Sequence, residues 1–223
     1  MIDVGIMGGT FNPPRTRQQL LAQCAIDQFH LKKVIFVPNG NPPHKKDDVL
    51  DKELRFEMCA ALAKGNRKFE ASRIEVDRPG ITWTIDTLKE FKQQFGPCVR
   101  LNFIMGEDNI EALRKYARRD EFLTLCRLLV AARGCADEAM VKNWRELLPG
   151  ADLEAIDCPA DASSSTLVRD WLRAGKSVRY LVPPAVHKIL VEKRLYLPEA
   201  VVSSGSTKGQ RKRRKRDCGT KAA

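Results

Sequence analysis

The feature that most restricts the fold of this chain is a recurring pattern: short apolar runs that stop at Gly, Pro or Asn, each followed by helical periodicity. Asp3-Val4-Gly5-Ile6-Met7 ends at Gly8-Gly9, and Leu20, Leu21, Cys24, Ala25 and Phe29 then recur on one helix face. Val34-Ile35-Phe36-Val37 is stopped by Pro38-Asn39-Gly40-Asn41-Pro42-Pro43, a loop by composition, before a helix through Leu54, Met58, Ala61 and Leu62. The same pattern gives strands around 72–76, 101–105, 128–131 and 153–156, and helices over 84–95, 141–148, 165–174 and 184–193. Runs fit for burial on both faces, alternating with helices of this length, predict an α/β fold with a doubly wound parallel sheet. Ligands of such sheets sit beyond the carboxyl ends of the strands, so the loops after Met7, Val37, Val76, Met105, Ala131 and Ile156 are the ones to read.

Charge divides the chain into two parts. Of the formal +11, the segment 198–223 carries eight Lys and Arg residues against Glu199 and Asp217, which leaves +5 for 1–197. The first part is expected to be the folded domain; the second is Ser/Gly/Lys-rich without apolar periodicity and is expected to be a disordered basic tail. Its Arg211-Lys212-Arg213-Arg214-Lys215-Arg216 run suits nonspecific phosphate neutralisation on nucleic acid, but no aromatic residue interleaves with it to stack on bases. No apolar run approaches the roughly 18–20 residues of a membrane span, and Met1-Ile2-Asp3 opens no signal peptide. The seven cysteines are scattered without a CxxC pair and the three histidines stand apart, so reduced thiols, no metal centre and a cytoplasmic location are expected.

Three loops carry residues suited to anion chemistry. Gly8-Gly9-Thr10-Phe11 lies between a strand and a helix, where it serves either as a tight turn or as a backbone cradle for phosphate. Pro43-His44-Lys45-Lys46 is either a solvated basic turn or a clamp on an anionic substrate. Ser163-Ser164-Ser165-Thr166 precedes Arg169 by one turn, so its hydroxyls either cap a helix or join the guanidinium in holding a polyphosphate.

Taken in order with Arg55-x-x-Met58, Glu75-x-x-Arg78-x-Gly80, Thr84-x-Asp86-Thr87-Leu88, Phe103-Ile104-Met105-Gly106-x-Asp108, Val130-x-x-Arg133 and Tyr180-Leu181-Val182-Pro183, these loops make the chain resemble the bacterial nicotinate-nucleotide adenylyltransferases of the nucleotidylyltransferase superfamily. The resemblance is collinear over roughly residues 2–197. It implies a Rossmann-like nucleotidylyltransferase fold and transfer of AMP from ATP to nicotinate mononucleotide, with Mg²⁺, giving deamido-NAD and pyrophosphate in NAD biosynthesis. Matching positions imply that the Gly8, Gly9, Thr10 and Phe11 backbone lies along ATP, with Gly106 and Asp108 against its ribose and Ser165, Thr166 and Arg169 on its phosphates. His44, Lys45 and Thr84 would surround the mononucleotide, and Tyr116 would lie beside its ring.

The chain departs from the family at one place. Where the family carries His-x-Gly-His, whose imidazoles touch the ATP phosphates, this chain reads Arg15-Thr16-Arg17-Gln18. The matching catalytic positions are therefore Arg15, which keeps a cation, and Gln18, which keeps only a neutral donor, while Arg17 is expected to crowd the nucleotide. The sequence leaves three readings open: transfer through an impaired or rewired phosphate site, nucleotide binding without catalysis, and a local alteration of an active parent. Nucleic-acid binding through 211–216 is the alternative from another class.

Overall fold

In the computed structural model, which describes residues 1–41, 48–132, 134, 136–159 and 163–197, the first apolar run is strand β1 (Ile2–Gly9). Val4, Gly5, Ile6 and Met7 are buried, as befits a central strand covered on both faces. It pairs in parallel with β2 (Lys33–Pro38) on one side and β4 (Val99–Gly106) on the other, with Ile6 opposite both Ile35 and Phe103. Beyond these lie β3 (Phe69–Ala71), β5 (Arg127–Ala131) and β6 (Leu153–Ile156), giving the parallel order β3-β2-β1-β4-β5-β6. That order reverses direction at β1 and β4, which makes the gap between their carboxyl ends the natural ligand crevice.

Helices cover both faces. Leu21, Ala25 and Ile26 of α1 (Thr16–Phe29), Met58 and Leu62 of α2 (Lys52–Ala63), Val168 and Leu172 of α7 (Ser165–Arg173), and Val186 and Leu190 of α8 (Pro184–Glu192) form one core layer. The other layer holds Ile85, Leu88 and Phe91 of α3 (Thr84–Phe95), Ile110 and Leu113 of α4 (Ile110–Arg114), Phe122 of α5 (Arg119–Leu125), and Trp144 of α6 (Glu138–Leu147). The doubly wound parallel sheet is thus as expected.

Two details differ from the sequence reading. The third strand ends at Ala71, and 74–76 form a turn in which the Ser72 hydroxyl accepts from the Ile74 N–H at 3.2 Å and the Asp77 N–H donates to the Arg73 carbonyl at 2.8 Å. That turn points Glu75 inward, where it is 2% exposed. The short helices α4 and α5 carry too few turns to show a period; Ile110, Leu113 and Phe122 hold them by packing.

Of the five described cysteines, Cys59, Cys126 and Cys158 are buried, Cys24 is half-buried and Cys98 is exposed, and none is in a disulfide. Burial pushes the Cys126 thiol up to about 12 and that of Cys158 up to about 11, so both are neutral packing groups at physiological pH. Among the described residues no helix is long and apolar enough to cross a membrane, and no cluster of three His, Cys, Asp or Glu groups could hold a metal ion. His44, Lys45 and the 211–216 run lie outside the described residues.

Candidate active site

A cleft of about 1090 Å³ opens at the carboxyl ends of β1 and β4, at the reversal of strand order. Gly8, Gly9 and Thr10 line it from the end of β1, and Gly106 and Asp108 from the end of β4. Arg15, Arg17 and Gln18 line it from the start of α1, and Thr84 and Tyr116 from the far side. At Thr10 and Gln18 the cleft meets a second pocket of about 470 Å³, lined also by Phe11, Asn12, Asp48, Ser165, Thr166 and Arg169. Every described residue that the sequence marked for the site therefore lines one of two adjoining cavities. The Phe11 ring is buried, edge-on to Phe36 with centroids 6.0 Å apart.

The cleft glycines are not needed by the protein itself. A Cβ on Gly8 would meet only the Phe103 ring at 3.6 Å, one on Gly9 the Phe11 ring at 3.4 Å, and one on Gly106 the side chains of Asn109 and Asp108 at 3.9 and 4.0 Å. None of the three has a positive φ. Gly40 is the opposite case, because its Cβ would lie 2.0 Å from the Glu75 carbonyl oxygen. Packing fixes glycine at 40, whereas at 8, 9 and 106, which line the cleft, a Cβ would make only ordinary van der Waals contact.

Each charged or polar group at the site has a local cause. Arg15 is the residue before α1; its backbone N–H donates to Gln18 Oε1 at 2.9 Å, which closes the first turn of the helix. The Arg15 guanidinium reaches across to the Ser163 carbonyl and, at 3.3 Å, the Ser163 hydroxyl, tying α1 to the segment that leads into α7. Arg17 lies at the cleft edge and donates to the carbonyls of Ala132, at 3.0 Å, and Pro159, beyond the ends of β5 and β6. At the start of α7, Ser164 caps the helix by accepting from the Leu167 N–H at 3.0 Å, and the Ser165 hydroxyl donates to the Pro13 carbonyl at 3.0 Å. Arg169 donates from Nη1 to the Asn12 carbonyl at 3.0 Å and from Nε to Asp48 Oδ2 at 2.9 Å. No acidic residue stands in the first turn of α1 or α7, so both helix ends keep their affinity for anions.

Other residues of the shared pattern act beneath the site. Arg55, 1% exposed, donates to the carbonyls of Leu50 (2.9 Å), Thr10 (3.0 Å) and Gly40 (2.9 Å), so one buried guanidinium anchors the loops after β1 and β2. Burial lowers its pKa from the usual arginine value. Glu75 accepts from Asn39 Nδ2 at 3.2 Å and from the Thr87 hydroxyl at 2.8 Å, and Thr87 in turn accepts from Arg78 at 3.0 Å. Asn12, buried at 4%, accepts on Oδ1 from the Leu50 N–H (3.0 Å) and the Tyr196 hydroxyl (2.5 Å), and donates from Nδ2 to the Asp48 carbonyl (2.7 Å).

The sequence reading missed Trp83 and Asp48. Trp83 lines the cleft beside Thr84 and remains 42% exposed, which only the tertiary structure reveals. Tyr116 sits between α4 and α5, and burial raises its pKa.

The pattern of the family described as cytidylyltransferase-like matches residues 6–171. The "Probable nicotinate-nucleotide adenylyltransferase" of Moorella thermoacetica is 40% identical over 199 residues, spanning 87% of this chain and 92% of that protein. The protein of the same description from Thermoanaerobacter sp. is 38% identical over 197 residues, spanning 86% of this chain and 93% of that protein. Among solved structures, Plasmodium falciparum nicotinic acid mononucleotide adenylyltransferase complexed with NaAD superposes with a TM-score of 0.70 over 88% of this chain and 98% of that one, at 18% identity, which bears on the fold alone. The chain belongs to the cytidylyltransferase-like family and, within it, to the nicotinate-nucleotide adenylyltransferases.

Proposed function

We propose that this chain transfers the adenylyl group of ATP to nicotinate mononucleotide, releasing pyrophosphate and forming deamido-NAD, from a cytoplasmic location. The observation that carries the reading is the set of three cleft glycines, Gly8, Gly9 and Gly106, whose missing side chains serve no packing need, beside a hydroxyl- and guanidinium-lined phosphate end. A nucleotide lying along that backbone explains both.

In this reading ATP runs from the Gly106 and Asp108 side, past Gly8, Gly9 and the Phe11 backbone, with its phosphates toward Thr10, Ser165, Thr166 and Arg169. The planar pyridine ring fits the wall built from Trp83, Thr84 and Tyr116, where exposed aromatic surface can stack on it. His44 and Lys45 are proposed for the mononucleotide from sequence alone. A phosphate oxygen of the mononucleotide attacks the α-phosphorus; the bond from that phosphorus to the bridging oxygen breaks, and pyrophosphate leaves with the electron pair. The protein donates no covalent group, so its contribution is alignment and charge stabilisation. Arg15 supplies a cation at the cleft. Gln18 spends its Oε1 on the helix cap, so its Nε2 is the donor it can offer to phosphate oxygens. The phosphate end offers the hydroxyls of Thr10, Ser165 and Thr166, the Arg169 guanidinium and a single carboxylate, Asp48, which suits Mg²⁺ arriving as the counter-ion of ATP more than a metal caged by side chains.

The test is pyrophosphate release by the purified chain from ATP plus nicotinate mononucleotide, with nicotinamide mononucleotide run in parallel. Release that requires the mononucleotide, with deamido-NAD identified by mass, is the expected result. ATP binding without pyrophosphate release would make the chain a nucleotide-binding relative instead.

A further inference from the structure

The phosphate end already holds an anion of the protein's own. Asp48, from the segment leading into α2, lies in the smaller pocket with Ser165, Thr166 and Gln18. Its Oδ2 accepts from Arg169 Nε at 2.9 Å and its Oδ1 from Arg173, which lies one helical turn further along α7. Two guanidiniums around one carboxylate reproduce the recognition that arginines give a phosphate. The hydrogen bond from Arg173, opposed by slight burial and reinforced by Arg169, holds the carboxyl below its usual range, so the group stays charged. Its backbone is held in the left-handed region at φ 66, with the carbonyl fixed by Asn12 Nδ2 at 2.7 Å.

The position has a cost for any ligand. Arg169 has all three nitrogens engaged, on Asp48, on the Asn12 carbonyl and, at 3.4 Å, on the Thr166 hydroxyl. An incoming phosphate must compete with this carboxylate for the two guanidiniums. We propose that Asp48 is the resident anion of the phosphate pocket, which a phosphate ligand must displace from Arg169 and Arg173, so that it sets an affinity threshold passed by a polyphosphate and not by orthophosphate. The proposal rests on the adenylyl-transfer reading only for the identity of the natural ligand. A triphosphate gains further contacts at Thr10, Gln18 and Ser165 that repay the displacement; a single phosphate exchanges one anion for another.

The probes are inorganic tripolyphosphate and orthophosphate, titrated calorimetrically into the full-length protein and into Asp48→Asn. Asparagine tolerates positive φ, so the backbone is kept. Neutralising the competitor is expected to tighten both ligands by roughly ten-fold, the scale of one partly exposed charge-assisted pair. Unchanged or weaker binding by the variant overturns the proposal. A structure of the unaltered protein with tripolyphosphate gives a second readout: the Asp48 carboxylate must have left Arg169, and finding it still bonded there refutes the displacement even if the variant does not fold. Displacement without pyrophosphate release from ATP would leave this proposal standing and end the adenylyl-transfer reading. Normal turnover with Asp48 still in place would do the reverse, and no binding of tripolyphosphate to the unaltered protein would end this proposal while leaving the adenylyl-transfer reading to its own assay.

Discussion

At the scale of the residue, Arg15 joins two demands in one side chain: a cation facing the cleft and a strap from α1 to Ser163. If it stabilises charge on the departing pyrophosphate, Arg15→Ala should lower kcat by about 10²–10³, the usual loss for one pre-organised donor. Arg15→Lys should recover part of it, since a point charge returns without the forked contact to Ser163. Steady-state kinetics alongside thermal unfolding separates this from a purely structural role, which would shift Tm and leave kcat of the folded enzyme intact. The neighbouring positions show what sequence can and cannot convey. That the Asn12 amide donates to the Asp48 carbonyl, which a carboxylate could not do, was not visible in the sequence. Arg17 lines the cleft where it was expected to crowd a nucleotide; its carbonyl partners beyond β5 and β6 depend on the tertiary fold and were not visible in the sequence. Trp83 escaped notice because an indole beside Thr84 reads as core until its exposure is known.

At the scale of the element, the strands were legible because burial on both faces writes itself as continuous apolar runs, as in Val34 to Val37. The third strand was displaced in the reading because Ile74 and Val76 look β-forming while Ser72 and Asp77 turn the chain between them. What joins the loops after β1 and β2 was written in one residue, Arg55, whose role as a three-carbonyl anchor no periodicity could reveal. Arg55→Met keeps volume and removes the donors, leaving three carbonyls without their partner. The expected loss is about 3 kcal/mol or more, from the desolvation of orphaned backbone acceptors. Urea unfolding measures it. Because Thr10 and Gly40 both lose their anchor, the folded fraction should also bind ATP more weakly, a second effect that a simple core cavity would not produce.

At the scale of the whole molecule, the formal charge divides into +5 over residues 1–197 and +6 over 198–223, and the structure describes the first part up to Leu197. The chain is still tied down there: Lys193 pairs with Glu57 of α2 at 2.9 Å, the Leu195 N–H bonds the Leu190 carbonyl at 3.0 Å, and the Tyr196 hydroxyl donates to Asn12 at 2.5 Å. Burial raises the Tyr196 pKa, so the phenol remains a donor throughout the physiological range. Asn12 is the post that also fixes Leu50 and Asp48, so the segment after α8 and the phosphate pocket share a support. Truncation after Leu197 should therefore leave Tm and kcat/KM unchanged while removing more than half of the net charge, and with it any salt-sensitive retention on RNA. Truncation after Arg194 removes Tyr196 as well and should lower Tm and raise the KM for ATP. Equal behaviour of the two shortened chains would show that the tie between Tyr196 and Asn12 bears no weight. A loss of turnover already in the longer one would place part of the enzyme's working surface in residues 198–223.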